Sequence, residues 1–399
     1  MTRALAALLL LVLTADALLL FLVPVMIYGV TQSLAWSGLA YAMAWLPRIL
    51  LTPLVGAFID HWGVRLVSVV SDVIKAAACL AVAALMWHRP EPLVVTLSGG
   101  LLSGLVAIGS AQSLIAYEKM IALASHRIDH DVNILGRIDQ FAMALGPVAG
   151  LLGYASGAVS LLLIATTMYM ANAICYCFNR RIPNQPQEAT IQRPLPNGGA
   201  ARLLLTTPAL LCLILVAIGN NAFDGVVEAS TVALIDRAMQ LPIQYFAFLD
   251  ICAGACGVAA TLLYPRVLAC IPALRLYMLA SLVTLVAGAS MLAAQGSLPG
   301  FLALYGLSIG GKVFMNNFSR SLRIRLVPPQ RLARVASLMV LSGQAVLPIV
   351  GLVLYLAGDR PSMPALLMAG AMLVTCTGVL GVIAQCKTTH AFARGTTSP

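Results

Sequence analysis

Long apolar runs follow one another along almost the whole chain, broken only by short polar turns. A helix needs about 20 apolar residues to cross the roughly 30 Å hydrocarbon layer of a bilayer, and about twelve segments here are long enough. Inside that layer backbone polar groups are satisfied only within helices or closed barrels, and continuous runs without two-residue alternation select helices. Sixty per cent hydrophobic against 10% charged residues over 399 positions leaves no room for a solvated domain of any size. Arg3 followed by Leu8 to Leu13 resembles a signal peptide. The run continues past Asp16 to Val30 without a small-residue cleavage site, so it reads as an uncleaved first helix.

The formal charge of +10 would suggest nucleic acid in a soluble protein. Here the basic residues sit in short loops, where they report topology. With both termini in the cytoplasm, the opposite face receives only Arg89, Arg237 and Arg360. The expectation is a multi-pass protein of the inner (plasma) membrane, surrounded by lipid, a monomer, with no nucleic-acid partner and no cofactor. Nine cysteines without a Cys-x-x-Cys pair read as packing residues.

Asn179 to Arg202 carries Pro183, Pro186, Pro194, Pro196 and Gly198-Gly199, the composition of a linker. It divides the chain into an N-terminal six-helix half over 1–178, a cytoplasmic linker over 179–203, a C-terminal six-helix half over 204–386 and a tail over 387–399. The halves echo each other. Pro147-Val-Ala-Gly-Leu-Leu-Gly-Tyr-Ala-Ser-Gly157 and Pro348-Ile-Val-Gly-Leu-Val-Leu-Tyr-Leu-Ala-Gly358 share Pro, Gly, Leu, Tyr and Gly at an offset of 201. Repeated halves with a substrate near the midplane are the architecture of alternating-access carriers.

Charges within apolar spans mark function or pairing, because each costs a few kcal/mol to bury. Asp16 lies in the first span, Arg48 in the second, Asp72 and Lys75 in the third, Asp139 in the fifth, Asp224 and Glu228 in the seventh, Asp250 in the eighth and Lys312 in the tenth. Asp72 and Lys75, three apart, form a local pair. Asp16 either has a transport role or pairs with Arg48. Asp224 and Glu228 share a helix face, which either lines a cavity or pairs with Lys312. Gly310-Gly-Lys312 lacks the spacing of a phosphate-binding loop, and no soluble-enzyme constellation occurs, so the chain reads as a carrier and not an enzyme.

Gly56-Ala-Phe-Ile-Asp60-His-Trp-Gly63-Val-Arg65 resembles the loop between helices two and three of the major facilitator superfamily of secondary transporters. That resemblance implies an all-α membrane fold of 12 transmembrane helices in two halves. It also implies a cytoplasmic gate built from Gly56, Asp60, Gly63 and Arg65 with Arg137, Asp139, Gln140 and Arg331. Asn133-Ile-Leu-Gly-Arg-Ile-Asp-Gln140, followed by Ala144-Leu-Gly-Pro147, is similar to the ferroportin branch, the ferrous-iron exporters. Asp16 in Thr14-Ala-Asp-Ala-Leu-Leu-Leu-Phe21, the stretch Asn172-Ala-Ile-Cys-Tyr176 and Phe223-Asp224 extend it. It implies a substrate site of Asp16, Asn172, Cys175 and Tyr176, with Asp224 and Glu228 in the second half. Gly225 stands where vertebrate ferroportins carry a metal-binding Cys, and no histidine lies between His130 and His390, so their second-half metal site is absent. Three readings follow: an exporter of ferrous or another divalent metal; an exporter of an organic solute such as a siderophore or drug; and a membrane sensor, whose appended soluble domain is missing.

Overall fold

A computed structural model of the chain describes residues 3–88, 91–124, 128–178 and 198–395, with no strand among them. The expected linker falls outside the described residues up to position 197. Its last residues are helical. The elements are α1 (Arg3–Thr31), α2 (Leu34–Trp62), α3 (Val64–Trp87), α4 (Pro92–Ala124), α5 (Ile128–Gly153), α6 (Ala158–Phe178), α7 (Gly198–Thr206) and α8 (Pro208–Arg237). They continue as α9 (Ala247–Cys270), α10 (Ala273–Ala293), α11 (Leu298–Leu326), α12 (Pro329–Gln344), α13 (Val346–Ala357) and α14 (Met363–Gly395). Pro92, Pro208 and Pro329 open their helices, where the missing N–H costs nothing.

Among the described residues eleven helical spans are long and apolar enough to cross a bilayer, α12 and α13 together forming one of them. The twelfth expected span is α5. It is a full 26-residue helix, but Asp129, His130, Asp131, Arg137 and Asp139 load its first half with charge. The repeat behaves differently in its two copies. Pro147 sits inside a continuous α5, whereas α12 stops at Gln344, four residues before Pro348. A proline ring clashes with the carbonyl four residues back and leaves it without a donor, which is sufficient to break the helix there. Both copies then end on a glycine with positive φ, Gly157 at 88° and Gly358 at 68°. Gly63 turns the chain between α2 and α3 with φ 82°, a conformation that disfavours any side chain.

The outer surface of the helices is apolar: Leu152, Phe178, Leu356 and Leu373 are each at least 70% exposed. A surface of this kind is a lipid-facing one.

The chain forms two compact units. The first contains α1 to α6, with Ala229–Ala255 from α8 and α9 and Gly351–Asp359 from α13 and its following turn. Its centre is α1, where Leu18, Phe21, Leu22 and Tyr28 are fully buried. A β-carbon at Gly146 of α5 would lie 2.5 Å from the backbone nitrogen of Leu18, so glycine there lets α5 press directly on α1. At one end of this unit Asp359 caps α2. Its carboxylate accepts from the Leu34 N–H at 2.6 Å and the Ser33 hydroxyl at 2.9 Å. Arg237 ties to the same carboxylate at 3.2 Å and to the Gln32 carbonyl at 2.6 Å, and Tyr28 donates to Asp236 at 2.9 Å.

The second unit contains α7, α10, α11, α12 and α14 with the remaining parts of α8, α9 and α13. Its core includes Leu210, Leu213, Val216, Tyr277, Met315, Val335, Val379 and Val382. Gly378 of α14 lies against Val216 of α8 at 2.8 Å from where its β-carbon would stand, and Gly311 of α11 against the Ala280 carbonyl of α10 at 2.9 Å.

Candidate functional site

The first unit holds a charged cluster at its centre. α1 brings Asp16, α3 brings Asp72 and Lys75, and α6 brings Tyr169 and Asn172, all of them buried. α3 packs along α6 and α6 against α1, so residues three apart on α3 and on α6 reach the same layer. The Lys75 ammonium lies 3.1 Å from Asp16 Oδ1 and 3.1 Å from Asp72 Oδ1. Tyr169 donates its hydroxyl to Asp16 Oδ1 at 2.6 Å, and Asn172 donates its amide to Asp72 Oδ2 at 2.6 Å. The ammonium also lies 4.3 Å from the centre of the Tyr169 ring. A β-carbon at Gly109 of α4 would meet Lys75 Cδ at 2.8 Å, so that glycine makes room for the lysine stem.

Two oxygens in this cluster have no hydrogen-bond partner among the described residues, Asp16 Oδ2 and Asn172 Oδ1. Two carboxylates against one ammonium leave a formal charge of −1 in a dry interior, and the unpartnered groups that remain are acceptors. Isolated buried charge is expensive, and Lys75 offsets part of it.

The sequence pairing of Asp72 with Lys75 is what the structure has, but that pair is only half of the arrangement. Asp16 meets Lys75 and not Arg48; the Arg48 guanidinium lies 4.7 Å from the centre of the Trp45 ring and close enough to Asp139 for their charges to interact. Cys175 is exposed, and the helical turn that buries Asn172 and Tyr176 directs it elsewhere. The structure therefore does not bring Cys175 to Asp16 and Asn172. Tyr176 packs beside Tyr117, whose hydroxyl is bonded to the Leu5 carbonyl at 2.7 Å. Cys79, fully buried one turn beyond Lys75, lies by Thr166 and was not singled out in the sequence. Tyr169 was missed as well, and the signal for it was present: it stands three residues before Asn172 on the same face.

In the second unit Asp224 of α8 pairs with Lys312 of α11 at 2.5 Å, with the ammonium 4.5 Å from the Phe223 ring centre. Glu228, one turn on, is half-buried. Asn221 donates to the Gly343 carbonyl at 2.8 Å. Among the described residues no group of three or more His, Cys, Asp or Glu side chains could hold a metal ion. The proposed gate is seen in part. Gly63 is a buried turn, Arg65 and Asp139 are half-buried, Arg137 is exposed, and Gln140 lies 3.9 Å from the Met143 sulfur. Gly56, Asp60 and Arg331 stand in α2 and α12, and their surroundings lie outside the described residues.

No protein-family model matches the chain, and no curated protein matches it. Solved structures do. A mutant of the nucleoside transporter NupG aligns with TM-score 0.75 and 12% identity over 95% of this chain and 99% of that one. A structure described as a bacterial metal transporter aligns with TM-score 0.72 and 15% identity over 95% and 97%. A bacterial homologue of the iron transporter ferroportin, in an inward-facing state, aligns with TM-score 0.71 and 17% identity over 96% and 99%. At such identities the likeness concerns the fold and not the cargo. The chain is a multi-pass, all-α protein whose fold is that of these transporter structures.

Proposed function

We propose that this chain is a secondary transporter of a divalent cation, working by alternating access in a plasma or inner membrane with both termini cytoplasmic, and exporting its cargo. One observation carries the reading: two buried carboxylates share a single ammonium, and Asp16 Oδ2 and Asn172 Oδ1 are left without partners among the described residues. The donors in reach are oxygens from Asp16, Asp72, Asn172 and Tyr169. A set of that kind suits hard to borderline divalent ions, Mn²⁺ and Fe²⁺ among them, better than soft ones. Lys75 is then a tethered stand-in. It holds the carboxylates when no cargo is bound and moves aside when a doubly charged ion takes its place.

The metal-export reading of the sequence is thus kept with a different ligand set, Asp72 in place of the Cys175 thiolate. The two neighbours described as metal and iron transporters agree with it at the level of fold. Alternating access further requires that the Arg237–Asp359 and Tyr28–Asp236 contacts at one end of the first unit break and re-form in each cycle. The gate residues Asp60, Arg65, Arg137, Asp139, Gln140 and Arg331 would act on any cargo.

The test is flux. Purified protein in liposomes is loaded with Mn²⁺, Fe²⁺ or Co²⁺, and wild type is compared with Asp16→Asn and Asp72→Asn, which keep shape and remove charge. Saturable transport lost in both variants supports the reading. Wild-type vesicles that move none of these ions remove it, leaving an organic-solute carrier in which the cluster is a fixed structural charge.

A further inference from the structure

The second unit contains a polar cleft that the cation reading does not use. It lies between α8, α10, α11 and α14, and its walls include Asn220, Phe223, Thr284, Ser308, Lys312 and Thr375. The hydroxyls there differ from one another. Serine and threonine in apolar helices commonly return their proton to the carbonyl four residues earlier. Ser281, Thr284 and Ser319 do so, at 2.8, 2.9 and 2.8 Å. Ser308 does not: it is fully buried, and its Oγ has no partner among the described residues. Asn220 is in the same position, 7% exposed, with Oδ1 accepting from Thr375 at 3.4 Å and Nδ2 without a partner among the described residues.

Lys312 supplies the charge. One contact goes to Asp224, and an ammonium has three protons to give. Lys312 borders the cleft and Asp224 does not, so the cleft sees the positive end of the pair. Every unmet polar group there is able to donate: the Asn220 amide, the Ser308 hydroxyl and the Lys312 ammonium. What is missing is an acceptor. The cavity measures about 10 Å³, room for one atom-sized ligand and far below the ~300 Å³ at which ordinary small-molecule sites begin.

We propose that this cleft binds a single halide ion, held by Lys312 Nζ, Asn220 Nδ2 and the Ser308 hydroxyl, with Phe223 and Met372 as its apolar wall. The site is separate from the Asp16 cluster and stands or falls without it. A bound anion would offset the ammonium that Asp224 now neutralises, leaving the Asp224 carboxylate open to a new partner.

The experiment uses the full chain in detergent at constant ionic strength, with sodium gluconate as the inert salt. Chloride is titrated in, and the ³⁵Cl NMR line width is followed. Saturable broadening is expected, displaced by bromide and not by formate. Ser308→Ala should weaken it at least fivefold and Asn220→Leu tenfold, with both proteins keeping the wild-type melting midpoint in gluconate. Lys312→Met also disturbs Asp224, so Ser308→Ala is the deciding variant. Broadening that does not saturate in the wild type means the cleft holds water alone and overturns the proposal. So does broadening unchanged by Ser308→Ala and Asn220→Leu.

Discussion

Lys75 and Lys312 each lie over an aromatic ring and bond an aspartate inside the helical bundle, yet their settings differ in charge and in access. Lys75 is enclosed by Asp16, Asp72 and Tyr169, with side chains 1–2% exposed in its ion pairs, and the group carries a net −1. Lys312 has Asp224, whose side chain is 24% exposed, and the pair is neutral. The two are not copies. The repeat offset places Leu276 where Lys75 would recur and Ala111 where Lys312 would, so the repeat does not extend to these charges. The proposed cation site follows that difference: an excess of buried carboxylate would draw a cation, and a neutral pair with its ammonium on a cleft would not.

The largest effect expected is from Lys75→Met. Removing one partner of a buried ion group strands the others, at about 3–5 kcal/mol. Denaturation in detergent without metal should register that loss, and adding Asp72→Asn should restore part of it. A loss no larger than that of Lys312→Met would erase the contrast between the two lysines. Next comes Gly146→Ala. Its new methyl would lie 2.5 Å from the Leu18 nitrogen, two residues from Asp16. Backbone cannot yield as a side chain can, so about 1–3 kcal/mol of stability should be lost, with cation transport falling alongside it.

Lys312→Met should cost less, about 1–2 kcal/mol, because the partly exposed Asp224 regains solvent. Cation flux should survive it; a collapse of flux would make the second unit part of the cargo site. Smallest is Asp359→Asn, where both partners of the ion pair are more than 40% exposed and the expected change is under ~1 kcal/mol. Burial alone would raise the Asp359 carboxyl, but the Leu34 N–H, the Ser33 hydroxyl and Arg237 outweigh it and hold the carboxyl below its usual range. A depressed carboxyl stabilises the fold above its unfolded pKa of about 3.9 and loses that contribution as pH falls through the lower folded value. Melting midpoints taken from pH 5 to pH 3 should therefore fall more for wild type than for Asp359→Asn. Parallel curves would show that the contacts of Asp359 with Leu34, Ser33 and Arg237 do not hold its carboxyl down.

Much of the architecture was legible in the sequence because bilayer thickness and backbone hydrogen bonding leave few options for apolar runs of this length. The break at Gln344 follows from Pro348 by the same local logic, although Pro147 shows that a neighbouring helix can hold such a proline in line. The candidate site was legible only where partners share a helix, as Asp72 and Lys75 do. For Asp16 the sequence offers a transport role or a pair with Arg48, the second because both lie on the first two helices. Which helices touch depends on packing: α6 and α3 bring Tyr169, Asn172 and Lys75 to α1, and sequence order does not say so. Cys175 was misplaced for a related reason. Each three-residue step falls 60° short of a full turn, so Cys175, two such steps past Tyr169, stands 120° from it and off the buried stripe of Tyr169, Asn172 and Tyr176.

The central claim is that Asp16 and Asp72 form a cation site which Lys75 occupies in the absence of cargo. Calorimetric titration of Mn²⁺ into wild type, Lys75→Met and Lys75→Met/Asp16→Asn tests it most directly. Without the competing ammonium, Lys75→Met should bind about tenfold more tightly or better, equivalent to ~1.4 kcal/mol, and Asp16→Asn should abolish the gain. Binding that is absent from Lys75→Met, or weaker there than in the wild type, would contradict it.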